Sequence, residues 1–144
     1  MSGLRPLRRR VEHVDTDAAG VVHFTRYASL IETALLENLE ELGVGTHLLS
    51  ARALEPAVTE LRMTYRAAAR FPDLLVVRVD VDHVAGETCG VSGTVHRVEN
   101  GAAGGETLLA TGGLVLGVVR AGDGAPAVLP DTFRAALRAR MEDR

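Results

Sequence analysis

Two aspartates and a glycine, Asp15, Asp17 and Gly20, lie in the stretch DTDAAGVVHFTRY, Asp15 to Tyr27, immediately before the longest helical pattern in the chain. That juxtaposition is chemically useful. The unpaired N–H groups of a helix's first turn, with the positive end of its dipole, stabilise an oxygen that gains negative charge. A carboxylate held beside them attacks a carbonyl carbon or activates a water against it. Hydrolysis of an acyl group needs those parts and no metal. On residue type alone, however, an aspartate in this setting reads first as a turn or N-cap residue, so the surrounding elements decide what it can do.

Residues Leu7 to Val14 are β-compatible and carry no helical stripe, which predicts a first strand feeding the polar run Asp15 to Gly20. From Tyr27 the apolar residues fall at Leu30, Ile31, Ala34, Leu35, Leu39 and Leu42, the spacing of an amphipathic helix, and Gly43 stands at its end as a stop. Val44 to Glu55 is looser. Beyond it the period changes to two: Leu61, Met63 and Tyr65 against Glu60, Arg62, Thr64 and Arg66 predict a half-buried strand, Leu75 to Asp82 another, and Glu87 to Val98 a third. Asn100-Gly101, inside NGAAGG, signals a hairpin into a last strand from Glu106 to Val119, and a short helix is expected from Asp131 to about Met141. No repeat or linker divides the chain, so residues 1–144 read as one α+β domain. One long helix cannot cover two faces of five antiparallel strands. The simplest packing wraps the sheet around the helix and leaves an outer face and an edge for a subunit partner.

Composition narrows the function classes. At 144 residues, 47% apolar and 24% charged, the chain has the make-up of an ordinary soluble domain. A net charge of −3 and a pI near 5.9 argue against a nucleic-acid partner, which selects a basic face. All 16 basic residues are arginine, the side chain that grips phosphates through two nitrogens. The single cysteine, Cys89, excludes an internal disulfide and a CxxC pair and reads as core packing. The basic N-terminus lacks a following apolar run, and no stretch reaches the roughly 18 apolar residues of a membrane span. A cytoplasmic protein with no membrane partner is the expectation.

The stretch Asp15 to Tyr27 resembles the signature of the 4-hydroxybenzoyl-CoA thioesterase family of hotdog proteins, a D-x-D-x-x-G-(V/I)-V segment followed by an aromatic residue and a long helix. The order of strand, helix and four strands is similar to that family's too. The resemblance runs on through TYRAAARFPD, a Y-x-x-x-A-R-type strand, to the closing strand, although only Asp15 to Tyr27 is motif-grade. It implies a hotdog fold, a five-stranded antiparallel sheet wrapped around one long central helix. It implies hydrolysis of an acyl thioester, carried on CoA or on an acyl carrier protein, with no cofactor beyond the CoA or phosphopantetheine that the substrate brings. It also implies a homo-oligomer, a dimer pairing further into a tetramer.

In that family the second aspartate of D-x-D acts as nucleophile or general base, which makes Asp17 the catalytic carboxylate here. The resemblance places the backbone N–H that donates to the thioester oxygen at Phe24, with His23 and Gly20 shaping the turn, and leaves Asp15 to hold the loop by hydrogen bonds to backbone N–H groups. Some relatives carry a tyrosine at the position of His23 and a histidine next, whereas this chain reads His23-Phe24. A mechanism that uses the downstream histidine therefore does not transfer, and His23 stands as a candidate acid or base, or as a tie from the loop to the sheet. Tyr27, Glu32 on the central helix, paired in the bland reading with an arginine such as Arg62, and Thr59 are counted with the substrate-binding residues. Arg62, Arg66 and Arg70 are the candidates to meet phosphates. Where some benzoyl-CoA relatives carry a basic cluster this chain reads HVAGETCG, His83 to Gly90, which leaves room for delivery on a carrier protein's phosphopantetheine arm. Asn38, inside the apolar stripe, must find hydrogen bonds. Two rivals remain. A hotdog dehydratase or hydratase normally has Gly-Pro after its His-Phe, and Thr25-Arg26 stands there instead. A non-catalytic acyl-thioester-binding protein would have been free to lose Asp17 and Gly20.

Overall fold

The apolar stripe from Tyr27 to Leu39 goes inside, and the sheet curls round it. The protein's computed structural model describes residues 3–100 and 104–141. Strand β1 (Leu7–Arg10) and a 3-10 turn (His13–Asp15) precede helix α1 (Phe24–Glu41) and a short helix α2 (Thr46–Ala51). Strands β2 (Leu54–Tyr65), β3 (Leu74–Val84), β4 (Thr88–Val98), β5 (Glu106–Arg120) and β6 (Pro126–Ala127) follow, and helix α3 (Asp131–Arg138) closes the described chain. The strands pair antiparallel in the order β1-β3-β4-β5-β2, with the two residues of β6 against β5. None of the described helices is long and apolar enough to cross a membrane.

Packing follows the two periods read from the sequence. From α1 the side chains of Tyr27, Leu30, Ile31, Ala34, Leu35 and Leu39 are buried, and Leu75, Val77, Val79, Val81, Val91, Val95, Leu114 and Leu116 meet them from one face of the sheet. Each fully buried Leu, Ile or Val contributes on the order of 1.5–3 kcal/mol. The helix comes so close that a Cβ on Gly93 would stand 2.8 Å from the Ile31 side chain. At its end Gly43 takes φ +76°, the Val44 N–H reaches the Leu39 carbonyl and the Gly43 N–H the Glu40 carbonyl, which is a Schellman stop. Buried Asn38 finds its partners: its amide oxygen accepts the Arg5 N–H, and its nitrogen donates to the carbonyls of Arg5 and Ala34. Cys89 is buried in β4, and burial pushes its thiol up to about 11.

Several expectations need correction. The first strand stops at Arg10, because Val11 turns into the core and the chain enters a 3-10 turn that Glu12 and Asp15 cap reciprocally. The stretch read as loose holds α2, which Glu40 anchors by accepting from the Thr46 N–H and hydroxyl at 2.6 and 2.7 Å. The last helix is shorter than expected, ending at Arg138. The hairpin signal at Asn100-Gly101 falls partly on residues outside the described ones, though β4 and β5 do pair antiparallel around it, Val98 opposite Glu106. Strand β2 begins at Leu54 rather than near Glu60 and is not half-buried: it is an edge, with Leu61 54% and Tyr65 45% exposed on the face that β5 continues into the core.

Candidate active site

The loop is a tight antiparallel turn: Thr16 bridges Val22, the Asp17 N–H donates to the Val21 carbonyl at 2.8 Å, and the Gly20 N–H returns to the Asp17 carbonyl at 3.0 Å. Gly20 takes φ +82°, a conformation that suits glycine. Oδ1 of Asp17 accepts the N–H groups of Ala19 at 2.9 Å and Val21 at 3.3 Å. The turn-holding reading of Asp17 is therefore visible in the geometry, but it occupies one carboxylate oxygen. Oδ2 has no partner among the described residues, and the side chain is exposed.

The chain returns from this turn into α1. His23 is the N-cap: its Nδ1 accepts the Thr25 N–H at 3.3 Å and lies 2.8 Å from the Thr25 hydroxyl. That acceptor role puts the proton of a neutral ring on Nε2. The N–H of Phe24, the first helical residue, has no acceptor among the described residues, and no acidic side chain sits in the first turn. A donor of this kind at the positive helix end suits an oxygen that carries negative charge. Asp15 builds the frame: one oxygen meets Arg26 at 3.0 and 2.8 Å, the other accepts the Glu12 N–H at 2.9 Å, and its carbonyl accepts the His23 N–H.

The remaining candidates divide. Tyr27, expected on the substrate side, is 2% exposed, and its hydroxyl accepts the Ala69 N–H at 2.9 Å while the Ala69 carbonyl accepts from Val22. It is scaffold, and burial raises its phenol above the usual value. Arg70 stands beside the turn, with Nη1 4.0 Å from where a Cβ on Gly20 would be, and Arg66 follows the end of β2. Arg62 lies over Gly113, in the row that alternates with Leu61 and Met63 and so on the sheet face away from α1. The expected pairing with Glu32 is not made; half-buried Glu32 has no ion pair among the described residues. Thr59 occupies the bulge of β2 and reaches the Val115 carbonyl at 3.4 Å. Six residues of strand, about 20 Å, separate it from Tyr65, so one chain does not bring it to the loop. Two residues went unread in the sequence. Arg26 was invisible because its partner Asp15 is distant in sequence, and Tyr65 was read only as a strand residue. The Tyr65 hydroxyl donates to the Phe24 carbonyl at 3.0 Å.

Comparison with known proteins gives the family of the chain as a whole. Residues 11–137 match the family model described as the thioesterase-like superfamily. The acyl-CoA thioesterase YbgC of Haemophilus influenzae is 40% identical over 80 residues, 55% of this chain and 59% of that protein's length. Among solved structures, the dynemicin thioesterase is 25% identical with a TM-score of 0.83, over 96% of this chain and 98% of that one. A 1,4-dihydroxy-2-naphthoyl-CoA thioesterase of Synechocystis, 19% identical with a TM-score of 0.80 over 92% and 94%, shares the fold. The curled sheet around one long helix is the hotdog arrangement of these thioesterases.

Proposed function

The chain belongs to the thioesterase-like superfamily, and from that premise we propose that it hydrolyses acyl thioesters to a free acid and a thiol. The carrying observation is a pair of groups at the loop that have no partner among the described residues: Oδ2 of Asp17, and the Phe24 N–H at the start of α1. The thioester oxygen sits on the Phe24 N–H, and the negative charge it gains as the carbonyl carbon becomes tetrahedral is stabilised there. Asp17 acts on that carbon directly, or takes a proton from the water that does. The carbon–sulfur bond breaks, the thiolate takes up a proton, and water supplies the acid's new oxygen. His23, with Nε2 protonated, stands at the same turn as a donor to the leaving sulfur.

The H. influenzae relative is named for acyl-CoA esters, the dynemicin thioesterase structure describes polyene binding, and the Synechocystis protein is named for an aromatic acyl-CoA. Phe24, 62% exposed, and Tyr65 offer ring surface beside the carbonyl, which favours a flat, unsaturated acyl group. Arg70, beside Gly20, and Arg66 suit the phosphates of CoA or of a carrier protein's phosphopantetheine.

A second copy of the chain is the expected partner. Strand β2 is a long edge with an exposed apolar row, and such an edge is covered in a working protein. In an antiparallel pairing centred on Leu61, Glu60 of one copy faces Arg62 of the other, and Thr59 of one faces Met63 of the other, returning Thr59 to the neighbourhood of α1.

The test is thiol release, followed with a dye, from benzoyl-, hydroxybenzoyl-, polyenoyl-, short- and medium-chain acyl-CoAs, with Asp17→Asn beside the parent. Hydrolysis that collapses in the variant supports both the reaction and Asp17's part in it. Undiminished hydrolysis in the variant moves the catalytic group to another residue, and a parent silent on all CoA esters but active on an acylated carrier protein changes the substrate's handle.

A further inference from the structure

Tyr65 has no part in the chemistry set out above, yet its hydroxyl ties the end of β2 to the start of α1. It ends β2, and it shares a face of the sheet with Leu61 and Met63. Its hydroxyl donates to the Phe24 carbonyl at 3.0 Å. Its ring meets Phe24 edge-on at 6.3 Å and 89°, and Tyr27 at 5.6 Å and 68°. The loop holds the same first turn from the other side, through Asp15 to Arg26 and to the His23 N–H. In a helix the Phe24 carbonyl already serves as acceptor for the residue four places on, so the phenol adds a second bond that the helix does not need in order to form.

We propose that Tyr65 is a positioning residue for the thioester reaction, its hydroxyl fixing the Phe24 carbonyl and, through the Phe24 Cα, the adjoining His23–Phe24 peptide whose N–H points at the oxygen that becomes negative. This rests on the reading of Phe24 as the oxyanion donor. A backbone donor acts only where charge develops, and a misplacement of about 1 Å costs on the order of a hundredfold in rate. Loss of one of several holds on the turn gives a smaller displacement. About a tenfold loss is expected.

The experiment is Tyr65→Phe, which keeps the ring and both edge contacts and removes only the hydroxyl. Steady-state kinetics on the acyl-CoA panel should show kcat falling about tenfold for every acyl group with KM within about twofold, because the lost interaction belongs to the transition state. The melting temperature should fall by only a few degrees. Unchanged kcat overturns the proposal. So does a raised KM at constant kcat, which would make Tyr65 a binding contact. The Phe24 amide resonance in a two-dimensional nitrogen–proton spectrum is the second readout, expected to move in the variant more than amides elsewhere in α1; an unmoved resonance also overturns the proposal. A parent inactive on every thioester would defeat the reaction proposed above, and the Phe24 resonance would still decide whether Tyr65 holds that peptide.

Discussion

Asp15 and Arg26 meet through a single carboxylate oxygen, 3.0 Å from Nε and 2.8 Å from Nη2, so the loop and the first turn of α1 are one mechanical unit. The Asp15 side chain is 13% exposed, which shields the pair from solvent more than most surface ion pairs. Asp15→Ala should destabilise the protein by about 2 kcal/mol, since it also strands the Glu12 N–H. Denaturant unfolding of Asp15→Ala, Arg26→Ala and the double variant measures the coupling. A coupling near zero would mean that the two residues act independently.

Asp17 does two things with two oxygens, and two substitutions separate them. Asparagine at this position retains an oxygen for the N–H groups of Ala19 and Val21. Asp17→Asn should therefore melt within about 0.5 kcal/mol of the parent while losing activity. Asp17→Ala should lose about 1 kcal/mol in addition to its activity. Equal melting of the two variants would show that the turn does not depend on the side chain.

Ala53, where α2 passes into β2, has φ +55°, a left-handed conformation that costs a residue with a Cβ roughly 1–2 kcal/mol. Ala53→Gly should stabilise the protein by about 0.5 kcal/mol once the greater freedom of the unfolded chain is offset. Calorimetry checks the sign, and hydrolysis should be untouched.

How much of this was legible in the sequence depended on the range of the interaction. The period of α1, its stop at Gly43 and the alternation of β3 and β4 are local, and they read correctly. Gly20 was legible because a turn of this kind imposes its glycine within a few residues. What failed was long-range or collective. Tyr27 has the look of a first-turn aromatic open to substrate, and only the fold shows Ala69 closing over its hydroxyl. The α2 helix has no stripe long enough to announce itself, and its anchor, Glu40, belongs to the preceding helix.

That anchor gives a pH dependence. The Thr46 N–H and hydroxyl hold the Glu40 carboxyl below its ordinary value of 4.5. A carboxyl lowered in the folded state contributes stability that is present above the unfolded value and is lost as pH falls through the lowered one. Glu40→Gln should melt earlier than the parent at pH 7, and the gap should close as the pH is taken below 4.5. A gap constant down to pH 3 would remove the ionised form from the account.

Leu61→Asp puts a charge at the centre of the exposed row on β2. Sedimentation should show the parent as a dimer or tetramer and the variant as an assembly of half that size, because like charges face each other across the two-fold. A parent that is monomeric at tens of micromolar would leave β2 to another partner.

A reagent that counts free sulfhydryls meets two kinds of them here, the one set free from substrate and the one in the protein. Cys89 is the chain's single cysteine, it is buried in β4, and its thiol is pushed up to about 11. The thiolate is the form that reacts, so native protein should be dark to the reagent at neutral pH and the assay should start from a flat baseline. The same silence makes Cys89 a clock. Any slow labelling, rising to one equivalent per chain, would time the opening of the sheet around β4.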